Sequence, residues 1–356
     1  MKTFPGIKHF AVLTTVSIAA MLAAPQAVAE DKPVRWNMQS WFPGKLPLAG
    51  TMGKEIERKL RLVSGGNIQI RFNEPGALVA PPQCFDSVSS GAIQACWSTP
   101  AYWHGKDPTF SIFSAVPFGP EWPELLAWFY SGGGRELYEE LYHKHNIHAM
   151  PCGGMVPEAS GWFKKDVKSI ADLKGLKMRI LGLGGSVAEK FGVSTQLLPG
   201  GDVYPALELG TIDAAEFAAP SVDLVLGFHE VAKLYYFPGW HQPATFYDLM
   251  LNKKNWDGLS KTQQAQIEIV CGDNVRQLIA EGEASQSKAL KELKAKGVDV
   301  RTWAKNDLNE LHAAWLKVAA EYSAKNPGFK KAWESMQSFR TDYKVWKDLQ
   351  DLDKLR

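Results

Sequence analysis

Leu173-Lys174-Gly175-Leu176-Lys177-Met178-Arg179-Ile180-Leu181-Gly182 is the stretch on which the organisation of this chain turns. Alternation from Lys177 sends Met178 and Ile180 to one face of a strand and Arg179 to the other. Ser169–Lys174 ahead of it has helix-turn character, and the Gly-rich turn behind it leads into a helix expected over Ser186–Phe191. Open α/β sheets bind ligands in the crevice outside the carboxyl ends of their strands, which is where Arg179 then stands. Its planar fork of N–H groups matches a carboxylate at two points, and a nearby helix start adds a favourable dipole. A structural ion pair is the bland alternative, and position alone does not separate the two.

The same alternation runs outward in both directions. Upstream, Val34–Gln39, Ile68–Phe72, Ala92–Trp97 and Ile147–Cys152 read as strands, with helices at Thr51–Val63, Cys84–Ser90, Glu124–Tyr130 and Arg135–His145. Downstream, Thr195–Leu198, Asp213–Phe217, Leu234–Phe237 and Phe246–Asn252 read as strands, with helices at Val203–Leu209 and Leu224–Phe228. From Ser260 the pattern turns helical, over Ser260–Lys296, Leu308–Lys325 and Lys330–Leu355. The simplest assembly is α/β: two lobes with a ligand cleft between them, followed by C-terminal helices that span or extend from them. Residues 30–153 make the first lobe, completed by part of 241–300; residues 154–240 make the second, and 301–356 the helical tail.

Length and composition set the outer limits. The 356 residues suffice for two domains with a sizeable core, and 45% hydrophobic against 22% charged residues exclude a disordered chain. A formal charge of +2 lacks the basic excess of phosphate binders, so no nucleic-acid partner is expected. Lys2 and Lys8, the apolar run from Phe10 to Ala24, and Ala27-Val28-Ala29 read together as a signal peptide over residues 1–29, cleaved before Glu30. That run is shorter than the ~20 residues of a membrane span, so the expected destination is the bacterial periplasm. Cys84, Cys96, Cys152 and Cys271 fit no zinc spacing; disulfides and buried thiols both remain open.

The familiar enzyme templates are broken. Gly184-Gly185-Ser186-Val187-Ala188 lacks the last glycine of a nucleophile elbow, and Lys233 stands where the H-E-x-x-H pattern begun by His229-Glu230 needs its second histidine. Val187 occupies the third glycine position of a dinucleotide fingerprint. His143, His145 and His148 cluster without helical ligand spacing and read as a solvated turn. A secreted hydrolase or lyase using Glu158 and Glu216 as an acid–base pair is a rival reading without an accompanying nucleophile. A sensory binding protein feeding a receptor is another.

The motifs carry a resemblance. Asp172–Ile180, Leu198-Pro199-Gly200-Gly201-Asp202-Val203-Tyr204, Gly210-Thr211-Ile212-Asp213-Ala214-Ala215-Glu216-Phe217 and Tyr236-Phe237-Pro238-Gly239-Trp240-His241-Gln242-Pro243 resemble the solute-binding proteins of tripartite ATP-independent periplasmic (TRAP) transporters, the DctP family. Ala101–Lys106 and Ala115–Gly119 extend the likeness, and the Pro-Gly-Trp-His run is similar to the branch that binds 2-oxo acids and related monocarboxylates. The resemblance implies a two-lobe periplasmic binding protein fold, no catalysis, a small organic carboxylate as ligand and a membrane permease as partner. It assigns Arg179 to the ligand carboxylate. It also implies a bridging Na⁺ or Ca²⁺, with Glu158, Glu216, Phe217 and Gln242 at the aligned ligand positions. This chain departs from the pattern there: Glu158 replaces a Gln, Gln242 a Glu, and Phe217 a Trp. The swap keeps the carboxylate count, and Phe217 can still ligate through its backbone carbonyl.

Tyr102, after the strand that ends near Trp97, is expected to reach a ligand oxygen with its hydroxyl; Trp41 and Phe42 are candidates for the apolar wall, alongside Phe217, with structural packing as the alternative for each and the favoured one for Trp41. Glu158 and Gln242 would touch ligand as well as cation. The helical tail with Trp315, Trp333 and Trp346 offers an element for homodimerisation, with packing on its own lobes as the alternative.

Overall fold

Two sheets organise the described residues, which are 1–3, 6 and 31–350 of a computed structural model. The signal-peptide reading falls largely outside them. In chain order come β1 (Val34–Ser40), α1 (Ala49–Val63), β2 (Ile68–Asn73), α2 (Cys84–Ser90), β3 (Ala95–Ser98), α3 (Trp122–Ser131), α4 (Gly134–His143) and β4 (Ile147–Met155). There follow β5 (Gly161–Phe163), β6 (Lys177–Arg179), α5 (Gly182–Glu189), β7 (Ser194–Gln196), α6 (Gly200–Glu208), β8 (Ala214–Ala215), α7 (Pro220–Leu226), α8 (Phe228–Val231) and β9 (Leu234–Phe237). Then come β10 (Thr245–Asn252), α9 (Lys253–Asp257), α10 (Lys261–Ala295), β11 (Asp299–Thr302), α11 (Lys305–Lys325) and α12 (Pro327–Gln350).

The first sheet runs β2-β1-β3-β10-β4 and the second β11-β9-β5-β8-β6-β7. β1 is parallel to β2 and β3, whereas β10 is antiparallel to β3 and β4. In the second sheet β6 is parallel to β7 and β8, and β5 antiparallel to β8 and β9. The chain therefore leaves the first sheet after β4 and returns for β10. These two crossings, residues 156–160 and 238–244, lie side by side: Glu158 N–H donates to Gln242 O at 3.3 Å and Ser160 Oγ to Pro238 O at 2.5 Å, while Ser160 N–H donates to Tyr236 O of β9 at 2.8 Å.

β4 is buried over all nine residues, because α10 and α4 pack against it. α10 begins at a reciprocal cap, Ser260 Oγ accepting from Gln263 N–H at 3.1 Å and Gln263 Oε1 from Ser260 N–H at 3.1 Å. At 35 residues it is about 52 Å long and reaches from α1 and β4 to α7 of the second layer. Disulfides Cys84–Cys96 and Cys152–Cys271 tie α2 to β3 and β4 to α10, resolving the choice that spacing left open.

Three local departures have physical reasons. α5 starts at Gly182, four residues earlier than propensity suggests, because tertiary contact requires glycine there. A Cβ on Gly184 would sit 2.9 Å from His241 Cβ, and one on Gly182 3.0 Å from Ser111 Oγ. β5 and β11 are strands of three and four residues, too short to announce themselves by period. His148 is buried in β4, stacked on Trp256 with centroids 4.1 Å apart and with Nδ1 3.1 Å from His143 Nε2, so it is no solvated turn residue.

Candidate functional site

The sheets and crossings deliver their polar groups to one place. Arg179 ends β6, Glu216 and Phe217 follow β8, Glu158 sits in the first crossing, and His241 and Gln242 in the second. Arg179 and Glu216 are 1% and 0% exposed. Arg179 Nη1 donates to Glu216 Oε1 and to Glu216 O, each at 2.7 Å, and Nε to Leu198 O at 3.3 Å. The guanidinium lies over the Phe217 ring, 4.9 Å from its centroid, and Leu181 N–H donates to Glu216 Oε1 at 2.6 Å. The structural ion pair is therefore real: Arg179 holds a resident carboxylate.

Its partner is only half satisfied. Glu216 Oε2, Glu158 Oε2, Gln242 Oε1 and both ring nitrogens of His241 are buried without a hydrogen bond. His241 Nε2 stands 3.5 Å from Glu216 Oε2 and 3.9 Å from Glu158 Oε2. Gln242 Nε2 donates to Glu158 Oε1 at 3.3 Å and to Thr245 Oγ1 at 2.9 Å, while Gln242 Oε1 is left as a buried acceptor. One ligand atom from each of Glu158, Glu216 and His241 lies within 4.8 Å of the others. Each unsatisfied buried group costs about 1–3 kcal/mol, so acceptors gathered this closely call for a cation or a donor among them. Carboxylate and amide oxygens suit a hard cation such as Na⁺ or Ca²⁺, so the donor set fits the expected ion.

The electrostatics agree. Burial pushes the Glu158 carboxyl well above its ordinary value, with Glu216 and Asp223 adding to the rise and Arg179 opposing it. Burial also acts upward on Glu216, but the Arg179 charge, His241 and the Leu181 amide outweigh it and hold that carboxyl below the usual range. Asp223, pushed up to about 7 chiefly by burial, accepts from Trp162 Nε1 at 2.8 Å and Tyr235 OH at 2.9 Å.

An aromatic wall faces this cluster from the first sheet. Tyr102 follows β3 and packs on Trp41 at 4.2 Å and Phe42 at 6.0 Å; Phe42 packs on Tyr247 of β10 at 4.9 Å. Burial raises the Tyr102 phenol, while the nearby Arg179 charge acts the other way. Tyr102 also lines two clefts of about 270 and 430 Å³, whose opposite walls carry Leu197 of the second layer.

Arg179, Glu216, Phe217, Glu158, Gln242 and Tyr102 thus all converge. His241 and Tyr247 are the residues that sequence reasoning missed. His241 lay inside the Pro-Gly-Trp-His run, and its neighbour took all the weight. Tyr247 carried no signal beyond strand alternation, yet its phenol feels Glu158, Tyr102 and Arg179.

The model of bacterial extracellular solute-binding protein family 7, DctP, matches residues 45–326. The monocarboxylate 2-oxoacid-binding periplasmic protein of Nostoc sp. PCC 7120 is 32% identical over 345 residues, 96% of this chain and 94% of that protein. A TRAP transporter solute-binding protein of Bordetella bronchiseptica, a mixed-occupancy dimer with calcium and picolinate in one active site and the other apo, has a TM-score of 0.88. It is 35% identical, with 91% of this chain and 97% of that one covered. A Pseudoalteromonas atlantica counterpart with bound sodium and pyruvate gives 0.87 at 33% identity, covering 91% and 99%.

Proposed function

Because this chain belongs to the DctP family of bacterial extracellular solute-binding proteins, we propose that it captures a small 2-oxo acid or related monocarboxylate and hands it to a TRAP membrane permease. Members of the family are periplasmic transport receptors rather than enzymes, which sets aside the acid–base reading of Glu158 and Glu216. The observation that carries the proposal is the group of unsatisfied acceptors, Glu158 Oε2, Glu216 Oε2 and Gln242 Oε1, buried beside Arg179.

Glu158, Glu216, Gln242 and the Phe217 carbonyl are the oxygen donors we assign to hold Na⁺ or Ca²⁺, with the His241 ring packed beside them. When bound, such an ion supplies the positive charge that lets two carboxylates tolerate an anionic ligand. Arg179, with Nη1 committed to Glu216 and its plane fixed by Phe217, offers its remaining N–H groups to the ligand carboxylate. Tyr102 donates to a second ligand oxygen. Trp41, Phe42 and Tyr247 exclude water, which strengthens every polar contact inside. Binding between two layers joined by crossings and α10 stabilises the closed form, whose altered surface the permease reads.

The wider organisation follows from the same reading. Residues 1–29 direct export and are removed, 30–153 with part of 241–300 form one lobe, and 154–240 the other. The tail serves a homodimer: Phe329, Ala332 and Met336 bury against the body, while Val345, Trp346 and Leu349 further along α12 remain exposed. A thermal-shift screen of small monocarboxylates with Na⁺ or Ca²⁺ tests the assignment. Cation-dependent stabilisation by 2-oxo acids is expected; stabilisation by sugars or amines alone would overturn it.

A further inference from the structure

Away from the carboxylate cluster, four neutral side chains form a hydrogen-bonded chain across the cleft. Ser111 Oγ meets His104 Nδ1 at 3.0 Å, His104 Nε2 meets Tyr322 OH at 3.1 Å, and Tyr322 OH meets Ser186 Oγ at 2.9 Å. His104 and Ser111 lie in the segments that follow β3 of the first sheet, and Ser186 lies on α5, which follows β6 of the second. Tyr322 belongs to α11, which is fastened at its two ends to different layers. Near its start, Asp307 Oδ1 accepts from Ile170 N–H at 3.1 Å in the second layer. Just past its end, Asn326 Nδ2 donates to Asp107 Oδ1 at 2.9 Å in the first. α11 is therefore a strap over the seam, and beside it the layers come so close that a Cβ on Gly182 would stand 3.0 Å from Ser111 Oγ.

The chain is also a partition. Tyr322, Ser186 and Glu189 line both the 430 Å³ cleft that reaches Tyr102 and an outer cleft of about 260 Å³ bounded by Lys190, Glu321 and Lys325. The chemistry suits reversible use. Burial lowers the His104 pKa, so the ring is neutral, one nitrogen donating and the other accepting. Tyr322, Ser186 and His104 are all half-buried, so water replaces each bond when the layers part and no charge is stranded.

We propose that Tyr322, bridging His104 and Ser186, is the latch that holds the cleft shut and sets how fast a bound carboxylate leaves. The latch rests on the receptor reading above, and its test separates the two. Tyr322→Phe deletes both bonds but keeps the ring against His104, at 5.5 Å, and Phe329, at 5.3 Å. Stopped-flow tryptophan fluorescence with pyruvate and calcium should show koff raised roughly tenfold, with kon within about twofold of wild type. Ser186→Ala, which breaks one bond, should shift koff the same way by less. Unchanged koff in both variants overturns the latch. Should the wild type not bind pyruvate, the receptor assignment fails, and the latch is read without ligand. All four native cysteines are paired, so spin labels at Lys144→Cys and Glu208→Cys, one on each layer, report the distance between them. Tyr322→Phe should lengthen that distribution; an identical one refutes the proposal.

Discussion

Replacing Arg179 by lysine separates the two tasks of its guanidinium. A lysine ammonium keeps a positive charge against Glu216 Oε1, where Nη1 now stands at 2.7 Å. It gives up the Nε bond to Leu198 O and the stack on Phe217, losses of about 1 kcal/mol each. Folding stability should fall by about 2 kcal/mol, whereas Arg179→Ala strips a fully buried carboxylate of its partner and should cost about 3–5 kcal/mol. Binding should suffer differently. A point charge cannot serve Glu216 and a ligand carboxylate together through one plane, so a charge-assisted bond worth about 1.5–3 kcal/mol is lost. That corresponds to affinity weakened roughly 10- to 150-fold. Urea unfolding and titration calorimetry with pyruvate in calcium measure the two effects separately. Lysine binding pyruvate within about twofold of wild type would refute the ligand role and leave Arg179 a structural residue.

Three further outcomes are expected. Glu158→Gln, a neutral isostere that keeps the Gln242 contact and an amide oxygen for the ion, should fold as well as wild type yet show a smaller calcium-induced rise in Tm; an equal rise would show that the Glu158 charge does not serve the cation. Asp248, buried in β10 with Ser98, Tyr138 and Tyr142 as donors, has its carboxyl pushed up to about 6 by burial. A raised folded-state pKa gives stability that is full below the unfolded value and lost as pH rises through about 6; Asp248→Asn should flatten that decline by roughly 2–3 kcal/mol between about pH 4 and 6 in pH-resolved unfolding, and an unchanged slope would contradict it. Trp346→Glu should convert a dimer to monomer in light scattering, and a dimer that survives it would exclude this face of α12.

The sequence announced the elements better than their meetings. Arg179 at a strand end, before a glycine run, was legible because alternation and turn chemistry are local. Its ion pair with Glu216 was not, because β6 and β8 are brought together only by sheet order, 37 residues apart. The same limit hid His241: its place beside Glu158 comes from two crossings aligned by backbone bonds, and its room from the missing side chain of Gly184. Gly182 to Gly185 looked like a turn leading to a helix, whereas the helix begins within it because close packing on Ser111 and His241 outweighs poor propensity. The resemblance supplied the swapped pair Glu158 and Gln242, and the structure puts those two side chains in contact.

The most direct test is titration calorimetry of one preparation with pyruvate, first stripped of metal by chelation and dialysis, then reloaded with calcium. A cation site built from Glu158, Glu216 and Gln242 beside Arg179 predicts single-site binding in calcium and its loss after stripping. Equal affinity in both states, or no binding of any small 2-oxo acid with either calcium or sodium, would contradict it.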